Sequence, residues 1–283
     1  MPVIAVVNRK GGSGKSTLAA HLAAWCARQG HSVMLGDVDR QQSSRAWLRR
    51  RDAALPSIAP WALDQKNVLR VPPGITHVVL DTPGGLHGFE LARVVMFADA
   101  IIMPVCHSVF DRESAAACHA ELMALPRVAS GRCRLATVGM RIDGRTRAGE
   151  VLSQWSQELS VPFLGALRET QLYVRSLERG MTLFDLPAAQ VATDMVQWQP
   201  ILDWLKPLLE PVAANEPGAL RAASAHIASS RAQSLRPAQE ALAHGQRLSV
   251  LGAKPMGTTV HAVRQVAARP ATDGGAIPRF LKR

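Results

Sequence analysis

The segment Asn8-Arg9-Lys10-Gly11-Gly12-Ser13-Gly14-Lys15-Ser16-Thr17 lies between an apolar run, Val3-Ile4-Ala5-Val6-Val7, and an Ala/Leu-rich stretch, Leu18-Ala19-Ala20-His21-Leu22-Ala23-Ala24-Trp25. The order predicts a short buried strand, a glycine-rich turn and a helix. Glycines let successive backbone N–H groups converge on one concavity, and the helix N-terminus adds partial positive charge, so the turn is built to hold phosphate. Gly11, Gly12, Ser13, Gly14, Lys15, Ser16 and Thr17 are the candidate ATP-binding residues. Lys15 is placed to reach the β- and γ-phosphates, and the Ser16 hydroxyl to ligate Mg²⁺. The pattern departs from G-x-x-x-x-G-K-[ST] in one respect: Arg9 stands at the first glycine, and a second lysine, Lys10, opens the loop.

Outward from this loop, strand-like runs recur at His31–Asp37, Thr76–Leu80, Ala98–Val105, Arg134–Arg141 and Val161–Gly165. Helical patterns fall at Arg45–Leu48, Arg112–Leu125, Ala148–Glu158 and Ala188–Leu209. Alternation of this kind implies right-handed βαβ units in an α/β, doubly wound, mostly parallel sheet with helices on both faces and ligands at the carboxyl ends of the strands. Near residue 211 the composition changes. Arginines such as Arg221, Arg231 and Arg236 outnumber acids, and no aromatic appears until Phe280. The expected organisation is an α/β domain carrying the phosphate loop over 1–210 and a basic, Ala/Arg/Ser/Pro-rich tail over 211–283. The tail has too little apolar surface to offset its ordering entropy, apart from a transient helix near Pro237–Leu251.

The 283 residues carry a formal net charge of +11, which points to an anionic partner, nucleic acid before membrane, with charge that serves solubility alone as the alternative. Cys26, Cys106, Cys118 and Cys133 are widely spaced with no C-x-x-C, which argues against zinc or iron–sulfur ligation and suits a reducing, cytoplasmic setting. The chain enters directly into a strand, so no signal peptide is expected, and no apolar run reaches a membrane span.

Asp81 ends the apolar run His77-Val78-Val79-Leu80, which carries its carboxylate to the sheet edge to hold Mg²⁺ directly or through a water. Asp37 and Asp39 leave another strand two residues apart. The phosphate loop, the sequence Asp81-Thr82-Pro83-Gly84 and the Asp37/Asp39 pair together resemble the ParA/MinD family of deviant Walker A P-loop ATPases. Pro104-Val105, with Asp111 after it, and Gly180-Met181-Thr182-Leu183-Phe184 extend the resemblance over roughly 2–209. It implies ATP and Mg²⁺ as cofactors and catalytic roles for Lys10, Lys15 and Asp39. Lys10 would reach the nucleotide of a partner subunit, Asp39 would position the attacking water, and Asp37 would stand on the metal side with Ser16 and Asp81. Arg40 replaces the proline usual after Asp39; helix capping is the structural alternative for Asp39.

Base recognition is poorly marked. Arg141 could stack on or bond to adenine, or could join Arg145 and Arg147 in a DNA-facing patch. Arg168, Arg175 and Arg179 are further DNA candidates, with a solvated helix face as the alternative. No helix-turn-helix segment precedes the loop, so the likeness is to short ParA-type partition proteins. The resemblance implies an ATP-state homodimer that binds DNA non-specifically, is nucleoid-associated, and releases DNA when a ParB-like centromere-binding partner stimulates hydrolysis. A MinD-like positioning ATPase on a membrane or protein cargo and a small-molecule ATP-dependent synthetase are the alternatives. The basic, apolar end Ile277–Arg283 is interrupted by Pro278 and too short for a membrane helix, so no stable membrane association is expected.

Overall fold

The computed structural model describes residues 1–39, 41–62 and 71–210, which belong to one compact unit, Met1–Ala214. The expected tail over 211–283, its transient helix and the consequence of Arg40 lie outside the described residues. In chain order the elements are β1 (Val3–Val6), α1 (Lys15–Arg28), β2 (Val33–Asp37), α2 (Ser43–Leu48), β3 (Ile58–Ala62), β4 (His77–Asp81), α3 (Gly88–Phe97) and β5 (Ala100–Val105). There follow α4 (Val109–Met123), α5 (Pro126–Ala129), β6 (Arg134–Ile142), α6 (Ala148–Glu158), β7 (Phe163–Arg168), α7 (Gln171–Glu178), a 3-10 turn (Leu183–Asp185) and α8 (Ala188–Leu209).

The seven strands pair in the order β3-β2-β4-β1-β5-β6-β7, every pair parallel. A parallel sheet needs both faces covered, and the alternation of side chains along β1 shows how. Ile4 and Val6 enter one core with Leu18, Leu22, Trp25, Trp198 and Ile201; Val3 and Ala5 enter the other with Leu91, Val94, Leu122 and Leu152. Ala19, Ala20, Ala23, Ala24 and Ala27 let α1 lie close on the central strands, and 11 of its 14 residues are buried.

Three differences from the sequence expectation have local causes. β3 escapes notice because Pro60 interrupts its pattern; at the sheet edge, pairing only with β2, a proline costs no second ladder. β7 begins at Phe163 and runs to Arg168, rather than covering Val161–Gly165. Pro162 has no N–H to donate, and Gly165 takes φ +126° in a stretch where the β6–β7 register shifts. α3 and α7, 10 and 8 residues long, are formed although the sequence expectation gave neither of them a range.

Candidate functional site

Register brings the acids together. β1 and β4 pair with Val6 opposite Asp81, and β2 and β4 pair with Asp37 opposite Asp81. The loop leaving β1 therefore runs past both carboxylates at the carboxyl edge of the sheet. Gly12 and Gly14 take φ +73° and +95°, a left-handed geometry that favours glycine, and Gly14 is the N-cap of α1. A Cβ on Gly84 would come within 3.2 Å of the Gly11 Cα, so the turn after β4 packs directly on the loop. Asn8, buried, steadies the entry: its Nδ2 donates to the Pro104 carbonyl at 2.7 Å and its Oδ1 accepts from the Lys10 N–H at 3.0 Å.

Lys15 is buried, and its Nζ donates to the Lys10 carbonyl at 2.9 Å across the loop. Burial lowers its pKa, partly offset by Asp81 and Asp39. Asp81 is fully buried, and burial pushes its carboxyl up to about 6 against the opposing pull of the Ser44 and Ser16 hydroxyls. The Ser44 hydroxyl donates to Oδ2, while Oδ1 has no partner among the described residues. An orphan carboxylate oxygen with Ser16 beside it suits a hard divalent cation. Ser16 and Asp81 would hold Mg²⁺, which would supply charge neutralisation at phosphate oxygens. The loop suits a phosphate in the same sense: Ser13 Oγ is buried without a partner in the described residues, and no atom lies within 4 Å of where a Cβ on Gly11 or Gly12 would stand.

Asp37 is buried and turned into the protein. Its Oδ1 accepts from the Asp39 N–H at 3.0 Å and its Oδ2 from the Arg45 N–H at 3.1 Å, while burial raises its pKa. It braces the start of α2 from beneath. Asp39 instead lines the cavity, its Oδ1 accepting from the Gln41 N–H at 2.9 Å. The N-cap of α2 is Gln42, so Asp39 does not cap that helix. Lys10 points away from the loop to Asp111, Nζ to Oδ1 2.7 Å, and Asp111 is held in turn by Ser108 at the N-cap of α4.

A cavity of about 430 Å³ opens from the loop. Gly11, Gly12, Gly14, Lys15, Ser16, Thr17 and Asp39 line one end, and Leu167, Glu169, Thr170, Tyr173 and Val174 the other. Of the far wall, from the β7–α7 connection, the sequence singled out only Arg168, and that for DNA rather than for the cavity; no short motif marks the rest. Arg141 lies on the rim at φ +54°, and its Nη2 donates to the Gly12 carbonyl at 2.6 Å and to Cys106 Sγ at 3.2 Å. It braces the loop.

The DNA candidates separate into two sets. Arg168 forks onto fully buried Asp194 at 2.8 and 2.9 Å, and Arg145 and Arg147 pair with their own neighbours Asp143 and Glu150. Arg175 and Arg179 are exposed on α7 and its C-cap, with no ion pair among the described residues. No described helix is long and apolar enough to cross a membrane.

Known proteins bear on this geometry. The chain is 40% identical over 114 residues to a maintenance of carboxysome distribution protein A of Gloeobacter kilaueensis, covering 38% of this chain and 51% of that one. It thus spans about half the length of that relative. A protein of the same description from Halothiobacillus neapolitanus is 26% identical over 191 residues, covering 65% of this chain and 88% of that one. Among solved structures, the apo McdA of Cyanothece superposes with a TM-score of 0.57 at 14% identity, covering 71% of this chain and 99% of that one. MinD in the MinC:MinD cell division complex of Aquifex aeolicus does so with 0.55 at 18% identity, covering 72% and 96%. These likenesses support the fold. The family model of the CobQ/CobB/MinD/ParA nucleotide binding domain matches residues 4–277, and the chain belongs to that family.

Proposed function

We propose that the chain is a Mg²⁺-dependent ATPase that dimerises on ATP, binds DNA non-specifically in that state and releases it when a ParB-like partner stimulates hydrolysis, as a partition protein does. The observation that carries this reading is the buried carboxylate of Asp81, with one oxygen unpartnered, beside a glycine-lined loop whose lysine is already inside it. A buried charge left incomplete is costly to keep, and a nucleotide's cation completes it. In the proposed cycle Lys15 holds phosphate oxygens, Asp39 orients water from the cavity wall, and Lys10 exchanges Asp111 for the phosphates of a second subunit. The base would lie against the β7–α7 wall.

The two relatives named for carboxysome distribution favour a second reading, in which the same cycle positions a protein-coated cargo rather than a plasmid or chromosome. The chemistry at the loop is shared by both.

Light scattering and phosphate release with Mg-ATP, Mg-ADP and no nucleotide test the core of the proposal. The wild-type chain should double in mass with ATP and hydrolyse it slowly. Lys15→Ala should lose both; Lys10→Ala should bind nucleotide and stay monomeric. Dimerisation of Lys10→Ala equal to wild type would refute the cross-subunit role. A chain indifferent to nucleotide in every assay would refute the whole reading.

A further inference from the structure

The C-terminal end of α2 and the C-terminal end of α7 meet. A Cβ on Gly180, which takes φ +71°, would fall far inside van der Waals contact with the Arg50 carbonyl oxygen, so the two chain segments touch backbone to backbone. Arg51 staples the junction from inside. Its guanidinium, almost fully buried, forks onto Asp185 at 2.9 and 3.1 Å, reaches the Gly180 carbonyl at 3.3 Å and lies 5.5 Å from the Trp47 ring centroid. The neighbouring arginines face solvent. Arg45 lies on α2, Arg49 at its C-cap and Arg50 one residue beyond, while Arg175 lies on α7 and Arg179 at its C-cap; all five are exposed. Of these only Arg45 bonds a side chain among the described residues, to Gln42. Glu178 and Asp52 are the acids nearest in sequence.

The two helices share a second property. Their N-terminal ends form part of the nucleotide cavity. Gln41 ahead of α2 and Ser43 at its first position line it, Ser44 bonds Asp81, and the Arg45 N–H bonds Asp37. Thr170, Gln171, Tyr173 and Val174 line it at the start of α7. The helices are 6 and 8 residues long, about 9 and about 12 Å end to end, so the arginines stand within that distance of the cavity along the helix axis.

We propose that Arg45, Arg49 and Arg50, on α2 and at its C-terminal end, and Arg175 and Arg179, on α7 and at its C-terminal end, form one surface for the phosphates of duplex DNA, whose geometry is set by what occupies the Asp81 site. It rests on the DNA reading above and deepens it by placing the contact and its link to nucleotide. Planar guanidinium forks suit phosphate oxygens, and of these helices' large apolar side chains only Val174 is substantially exposed, which leaves little to insert into a lipid surface.

The test uses the full chain with Mg-ATP and a long duplex of arbitrary sequence, over a salt series. The comparison is between wild type, R49Q/R50Q/R175Q/R179Q, the same four positions changed to lysine, and R145Q/R147Q. Each arginine–phosphate pair abolished should lower the slope of log affinity against log salt by about 0.9. With four such pairs abolished, the fall in affinity between about 50 and about 200 mM salt becomes roughly a hundredfold smaller in the glutamine variant than in wild type. The lysine variant should keep most of the slope, and R145Q/R147Q should match wild type. An unchanged slope in the glutamine variant, in a chain that retains its thermal transition, overturns this surface while leaving the DNA reading standing. Wild-type chain that binds no duplex in any nucleotide state overturns the DNA reading itself. Loss of binding to phosphatidylserine-containing vesicles in the glutamine variant, with duplex binding intact, would reassign the surface to membrane.

Discussion

Replacing Asp81 by asparagine should make the nucleotide-free protein more stable, although it removes a group the site cannot work without. The folded state holds this carboxyl at about 6, against 3.8 in an unfolded chain, because burial disfavours the charge. About two units correspond to roughly 3 kcal/mol of destabilisation when the group is ionised. Asparagine keeps an acceptor for the Ser44 hydroxyl but points an N–H where Oδ1 now lacks a partner, which offsets about 1 kcal/mol or more. The net gain is about 1–2 kcal/mol, or roughly 2–8 °C in Tm for a domain of this size. The sign with pH is set by a raised folded-state pKa: the wild-type penalty is complete above about 6 and is relieved as pH falls through 6 towards 3.8. The Tm difference between Asp81→Asn and wild type should therefore be largest near pH 8 and shrink on acidification, other titrations cancelling in the difference. Saturating Mg-ATP should reverse it, since ligand at about a hundred times its Kd adds roughly 2.7 kcal/mol to the wild type alone. Differential scanning calorimetry at several pH values measures all three. A variant less stable than wild type without nucleotide, or a difference flat with pH, would refute the argument that Asp81 is held charged at a structural cost.

Two further outcomes follow from packing. Gly180→Ala should cost about 2 kcal/mol or more in urea unfolding, because the added methyl collides with the Arg50 carbonyl and the backbone is left-handed; equal stability would show that the two segments separate freely. His21, fully buried, donates from Nδ1 to the Thr17 carbonyl at 2.8 Å and accepts at Nε2 from the Leu183 N–H at 3.2 Å, stacked 5.5 Å from Trp198. Burial lowers its pKa to about 4, so its contribution, roughly 3 kcal/mol, is present above about 6.5 and is lost as pH falls towards 4. Nitrogen-detected NMR titration should show the ring neutral at pH 5; a midpoint near 6.5 would contradict this.

The phosphate loop was legible because its chemistry is contiguous: glycines, lysine and hydroxyl within one turn, bracketed by a strand and a helix that their own composition specifies. Asp81 was legible for a similar reason, an acid ending an apolar run. The residues that needed the fold are those whose meaning is a contact across many positions. Arg168 reads like Arg175 in the sequence, yet Arg168 is committed to Asp194, 26 residues away, while Arg175 faces solvent. Asp37 and Asp39 are two residues apart, and only the register of β2 on β4 turns one beneath the site and leaves the other on its wall.

From the amino-acid order alone came the fold class, the loop and the placing of Asp81 beside it, because these follow from hydrophobic period and from chemistry confined to a few consecutive residues. The tertiary structure alone decided which arginines are free, what forms the far wall of the cavity, and that Lys10 rests on Asp111. Each of those depends on side chains brought together by strand order and helix packing, which local sequence does not encode.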